Sequence, residues 1–168
     1  MKHTAIRKRF EQFLKTRSLK LTAQRERIFE RAFATHEHFT AETLYGWLQS
    51  EGGPKVSRAT VYRTLSLLVE GDFLESLDTG QGELHYEHVL GHAHHDHMVC
   101  LDCGKIQEFV DERIEQLQQE AAQSKGFVMV DHDLKLKGYC RSCARARMKR
   151  GESLGGAHNR PSGAHAEG

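Results

Sequence analysis

Cys100-Leu101-Asp102-Cys103 and Cys140-Arg141-Ser142-Cys143 are two C-x2-C units, and they hold all four cysteines of the chain. A C-x2-C turn brings two thiolates within reach of one tetrahedral ion, and two such knuckles complete a closed four-sulfur zinc site. The constraint on folding is severe, because the chain must return to its starting point after the 36 residues between Gly104 and Tyr139. That gap exceeds the spacing of a zinc ribbon, so a helix and two strands are expected to bridge it. Gly104 suits the tight turn that a knuckle needs. A thioredoxin-like redox pair would place a C-x2-C in front of a helix. Here both pairs are expected to flank strands, which favours structural zinc.

Just upstream lies His92-Ala93-His94-His95-Asp96-His97, too dense for a core and too particular for a solvated face. On an extended segment alternate side chains point to opposite sides. His95 and His97 would face one way, His94 and Asp96 the other, so one short strand could feed two metal sites. Imidazole and carboxylate suit Fe(II), Zn(II), Mn(II) or Co(II) alike. The string also fits the H-x-H-x-D-H pattern of metallo-β-lactamase-like hydrolases, the alternative from another class. Such an enzyme needs a larger βα framework and a buried apolar strand before the motif. Here Glu87-His88-Val89-Leu90-Gly91 precedes it, and Cys100 follows three residues after His97.

The first ninety residues have a different texture. A formal net charge of +1 conceals ten Lys or Arg against three Glu between Lys2 and Arg31, an excess that suits nucleic acid. Helical spacing of Ile6, Phe10, Phe13 and Leu14 predicts a helix over 4–18. Thr22 is a plausible cap for a second helix that buries Ile28, Phe29, Ala32 and Phe33, and Thr40 for a third with Leu44, Trp47 and Leu48. Residues 35–39 read as a loop. Ser57 caps a fourth helix, 58–70, with Val61, Leu65 and Leu68 as its core stripe and Gly71 as its stop. Two short strands, 73–77 and 84–88, with a Gly-rich connection form a hairpin. Helices followed by a hairpin make a winged helix. The fourth helix then presents Arg58, Thr60, Tyr62 and Arg63 to a major groove.

Beyond residue 90, strands are expected at 98–101, 105–110, 127–130 and 134–139, with a helix over 111–125 whose Ile114, Leu117 and Ala121 share one face. The expected organisation is α+β: a winged-helix DNA-binding domain over 1–90, a small α/β metal-binding dimerisation domain with a four-cysteine zinc site over 91–148, and a disordered tail over 149–168. The basic start, Met1 to Arg9, has no apolar stretch behind it and is no secretory signal, so the cytoplasm is the expected location.

The runs His94-His95-Asp96-His97-Met98-Val99-Cys100-Leu101-Asp102-Cys103-Gly104, Arg58-Ala59-Thr60-Val61-Tyr62-Arg63-Thr64-Leu65 and Leu21-Thr22-Ala23-Gln24-Arg25 closely resemble signatures of the ferric uptake regulator family. The similarity extends from about residue 10 to 145 in the family's order. It implies a homodimeric, metal-dependent repressor that binds double-stranded operator DNA and controls metal-uptake genes. The same resemblance makes Cys100, Cys103, Cys140 and Cys143 structural zinc ligands, and His38, Glu87, His95, His97 and Glu108 a regulatory site for Fe(II) or another divalent ion such as Mn(II) or Zn(II). A third site, variable in the family, would use His94, Asp96, Glu115 and His132. Lys20 would enter the minor groove, with Tyr62 and Arg63 in the major groove. Between Glu87 and His94 the chain is one residue longer than some members, so His88 and His92 are alternatives to Glu87. Peroxide sensors usually carry Asp at position 108. Glu108 therefore favours an iron-responsive member, with a zinc-uptake or peroxide-stress regulator as the alternative.

Overall fold

The computed structural model describes residues 3–88 and 95–155, which group into two compact units divided between residues 94 and 95.

The first unit runs α1 (His3–Thr16), α2 (Ala23–Phe33), β1 (Phe39–Thr40), α3 (Ala41–Ser50), α4 (Arg58–Glu70), β2 (Leu74–Asp78) and β3 (Leu84–His88). Each helix buries the stripe its spacing dictates: Ile6, Phe10 and Leu14 on α1; Ile28, Phe29, Ala32 and Phe33 on α2; Val61, Leu65 and Leu68, with Thr64, on α4. The stripes meet in one core, where the Phe10 ring stacks on Phe29 at 5.4 Å and meets Phe73 edge-on at 5.3 Å. Fully burying one such ring contributes about 1.5–3 kcal/mol. Helix α1 ends earlier than its spacing suggests. Ser18 turns left-handed (φ 57°) and the Leu19 N–H bonds back to the Leu14 carbonyl at 2.8 Å.

Thr22, Thr40 and Ser57 cap α2, α3 and α4, each side-chain oxygen accepting from the backbone N–H three residues on. Gly71 closes α4 where any larger residue would collide, since a Cβ there would lie 2.5 Å from the Phe73 ring. Strands β2 and β3 form the expected antiparallel hairpin. The wing gains a third strand, however, because β1 pairs antiparallel with β3 (Phe39↔Tyr86, Thr40↔His85). Residues 35–39 were expected to be a loop, yet burial of Phe39 draws the end of that segment into the sheet.

The second unit contains β4 (Asp96–Cys100), β5 (Ile106–Phe109), α5 (Glu112–Ser124), β6 (Lys135–Gly138) and α6 (Arg141–Lys149). Its sheet has the order β5-β4-β6, with β4 antiparallel to β5 and parallel to β6. Two expectations fail here. Residues 127–130 form no strand; Phe127, Val128 and Val130 are exposed instead. Residues Arg141–Lys149, where no helix is expected, form α6. Arg147 fixes that helix by bonding Asp102 through Nε and Nη2, both at 2.8 Å, and by lying over the Tyr139 ring at 4.3 Å.

Candidate metal centres and nucleic-acid interface

The four cysteines converge because β6 runs beside β4. Cys100 ends β4 opposite Gly138, and Cys140 follows two residues later. The first knuckle turns tightly, its Gly104 N–H bonding to the Cys100 carbonyl at 2.9 Å with Gly104 left-handed at φ 67°. Cys140 is the N-cap of α6, so the second pair does open a helix, unlike the sequence expectation. Metal rather than redox chemistry still fits, because all four sulfur atoms lie within 4.8 Å of one another. Cys103 and Cys140 are 3.9 Å apart, close to the roughly 3.8 Å edge of a tetrahedron with 2.3 Å zinc–sulfur bonds.

The electrostatics of the thiols also suit a cation among them. The Ser142 hydroxyl, helped by the Cys143 backbone N–H, holds the Cys140 thiol down to about 6. Hydrogen bonding to Cys140 and Cys103 pushes Cys143 up to about 12. One thiolate in the cluster thus discourages the next, a conflict that a divalent cation among the sulfurs removes.

Imidazole and carboxylate donors gather at one place in the first unit and at two in the second. In the first, His38, just before β1, comes to Glu87 on β3, with Nε2 3.4 Å from Oε2 and both side chains largely buried. His88, an alternative to Glu87, is used otherwise. Its ring stacks on Phe33 at 5.4 Å and its Nε2 lies 2.6 Å from the Thr35 carbonyl oxygen. His92 lies outside the described residues.

In the second unit His97 stands opposite Glu108 in the β4–β5 register. The His95 and His97 rings are 5.1 Å apart, and His95 Nε2 is 3.8 Å from Glu108 Oε1. Asp96, between those histidines on the chain, instead joins Glu115 and His132, with donor atoms mutually within 4.8 Å and His132 Nε2 3.0 Å from Glu115 Oε2. His94, expected in that third group, lies outside the described residues.

On α4 the buried stripe leaves Tyr62 half exposed and Arg63 on the outer face. The Thr60 hydroxyl is shared with Ser57 at 2.9 Å, and Arg58 is held by Glu42. Lys20, between α1 and α2, is exposed, while its carbonyl accepts from Arg25 Nη1 at 2.7 Å. Sequence reasoning missed Ser142 and the Asp102–Arg147 brace. The C-x2-C pattern marks the candidate ligands, but not the groups that steady them.

A winged helix joined to a unit holding three sets of metal-ligating side chains defines a metal-responsive transcriptional regulator. The chain belongs to the ferric uptake regulator family, whose pattern it matches over residues 16–137. It is 37% identical to the ferric uptake regulation protein of Campylobacter jejuni over 150 residues, spanning 89% of this chain and 95% of that one. To the corresponding protein of Cupriavidus metallidurans it is 41% identical, over 76% of this chain and 88% of the relative. Among solved structures, the Helicobacter pylori ferric uptake regulator, described as having three functional metal-binding sites, superposes with a TM-score of 0.75 at 30% identity, over 86% of this chain and 95% of its own. The family is one of DNA-binding transcription regulators rather than enzymes. No helix among the described residues is long and apolar enough to cross a membrane.

Proposed function

We propose that this chain is an Fe(II)-responsive homodimeric repressor of metal-uptake genes. The observation that carries the reading is the grouping of donors: His38 with Glu87 in the DNA-binding head, and His95 with His97 and Glu108 in the second unit. These five residues are read as the ligands of one regulatory divalent metal, whose coordination would favour the domain arrangement that brings both groups together. Nitrogen and carboxylate donors suit Fe(II), Mn(II) and Zn(II). Glu108, together with relatives named for ferric uptake regulation, favours iron. Cys100, Cys103, Cys140 and Cys143 hold structural zinc, and Asp96, Glu115 and His132 are a third, auxiliary set, with His94 as a further candidate. Lys20, Arg58, Thr60, Tyr62 and Arg63 contact an A/T-rich, roughly palindromic operator.

If the metal-bound arrangement is also the one that fits DNA, metal and operator assist each other reciprocally. Operator affinity should rise roughly 5–150-fold on metal loading. His97→Ala should keep its zinc and its dimeric state yet lose that gain, as titrations of operator duplex with and without Mn(II) under anaerobic conditions would reveal. Equal affinity of metal-free and metal-loaded wild-type protein would sink the proposal.

A further inference from the structure

Arg58 occupies the first turn of α4, and it does not extend freely into solvent. Its Nε donates to both carboxylate oxygens of Glu42, at 2.9 and 3.2 Å. Its guanidinium lies over the Tyr45 ring, 4.7 Å from the centroid. Glu42 and Tyr45 both belong to α3, three residues apart, and so present their side chains on one flank of that helix. The pair is exposed, with 63% of the Arg58 side chain and 40% of the Glu42 side chain accessible. An ion pair that wet contributes little to holding a fold together. The first turn of a helix is also a poor place for a cation, since the macrodipole is positive there. Stability alone therefore gives no good reason for the arrangement.

Its geometry suits recognition. A guanidinium has five N–H donors, and its flat fork matches the oxygens of a phosphate. Glu42 engages Nε only, which leaves the Nη1 and Nη2 edge directed away from the carboxylate. The Tyr45 ring fixes the plane in which that edge lies. On the α4 surface, burial of Val61, Leu65 and Leu68 puts Arg58 on the flank toward α3, beside the outward Tyr62 rather than behind it.

Building on the reading of α4 as the DNA-reading helix, we propose that Glu42 and Tyr45 are positioning residues that present the Nη edge of Arg58 to a DNA backbone phosphate at the rim of the groove. Arg58 then sets the register in which Tyr62 and Arg63 meet the bases. Glu42 is thus an acidic residue that assists the binding of a polyanion, by what it holds rather than by its own charge.

That reversal of sign makes the test decisive. The full-length, Mn(II)-loaded protein is titrated against an A/T-rich inverted-repeat duplex selected from a random pool, and against a scrambled duplex, over a range of salt. Arg58→Ala should weaken both complexes, the specific one roughly tenfold, through loss of a charge-assisted contact. It should flatten the salt dependence by about two, one phosphate for each head of a dimer. Removing a carboxylate near DNA ordinarily tightens binding. Glu42→Ala should instead loosen it by roughly threefold or more, as should the isosteric Glu42→Gln and Tyr45→Leu, while in an Arg58→Ala background Glu42→Ala should cause no further loss. Tighter binding by either Glu42 variant with Arg58 present, or an unchanged salt slope in Arg58→Ala, overturns the proposal. Equal wild-type affinity for the two duplexes would instead defeat the regulator reading on which it rests.

Discussion

Cys140 concentrates several demands in one side chain. It caps α6, its sulfur lies 3.9 Å from that of Cys103 and 3.1 Å from the Ser142 hydroxyl, and its backbone N–H reaches the Cys100 sulfur at 3.4 Å. Replacing it with serine leaves a cap but removes a thiolate from a closed site. Zinc bound by such a site supplies on the order of 10–16 kcal/mol that is also folding free energy. Cys140→Ser should therefore lose zinc and unfold the second unit rather than weaken metal response alone. Zinc stoichiometry and a thermal melt check this, and a zinc-free variant with an unshifted melt would refute the structural role. The ligand types were readable from residues alone, since C-x2-C pairs and an alternating His-Asp-His string carry their chemistry in their spacing. The partners that complete the clusters, Glu87, Glu108, Glu115 and His132, carry no local signal. Only strand register and chain return bring them in, and in the sequence it is the family resemblance alone that points to them.

At the scale of elements, the head follows the rules of local structure closely. Ser57 accepts from the Thr60 N–H at 3.2 Å to start α4. Ser57→Ala should destabilise the head by about 1 kcal/mol, which a shift in the urea midpoint with unchanged slope would register. An unchanged midpoint would mean that packing alone starts the helix. Phe10→Ala, which empties the centre of the core, should cost about 3–5 kcal/mol. The helices of the head were legible because each combines a capping residue with a strong apolar period. Strand β1 was not, because two residues carry no period and Phe39 becomes a strand residue only by pairing with Tyr86. The segment 127–130 misled for the opposite reason. Phe127, Val128 and Val130 have strong β propensity, but propensity forms a strand only where a neighbouring edge is offered. Helix α6 was hidden by its charge, as Arg141, Arg145, Arg147 and Lys149 resemble a solvated tail until Arg147 finds Asp102, 45 residues upstream.

At the scale of the whole molecule, the two units are stabilised by different means. The first has a continuous apolar core drawn from all four of its helices and its wing. In the second, the described residues offer only Val99 and Cys100 as buried apolar side chains, beside buried Asp96 and His97. Helix α5 buries none of its residues fully, and Val110, Leu117, Phe127, Val128 and Val130 stand 60–93% exposed. A unit of this size cannot hold itself together on so small a core without staples. Zinc supplies one, and the homodimer proposed above would supply another by covering the apolar surface, because a twofold pairing is self-complementary. Such a pair would also present two reading helices to a palindromic operator. Val128→Asp together with Val130→Asp should therefore shift the protein from dimer to monomer, with zinc still bound and the melt of the head unchanged. Light scattering across a concentration series reads the first effect. Binding to a half-site duplex should survive while the advantage of the full palindrome is lost. A double variant that remains dimeric at micromolar concentration would place the interface on another surface and leave this apolar face unexplained.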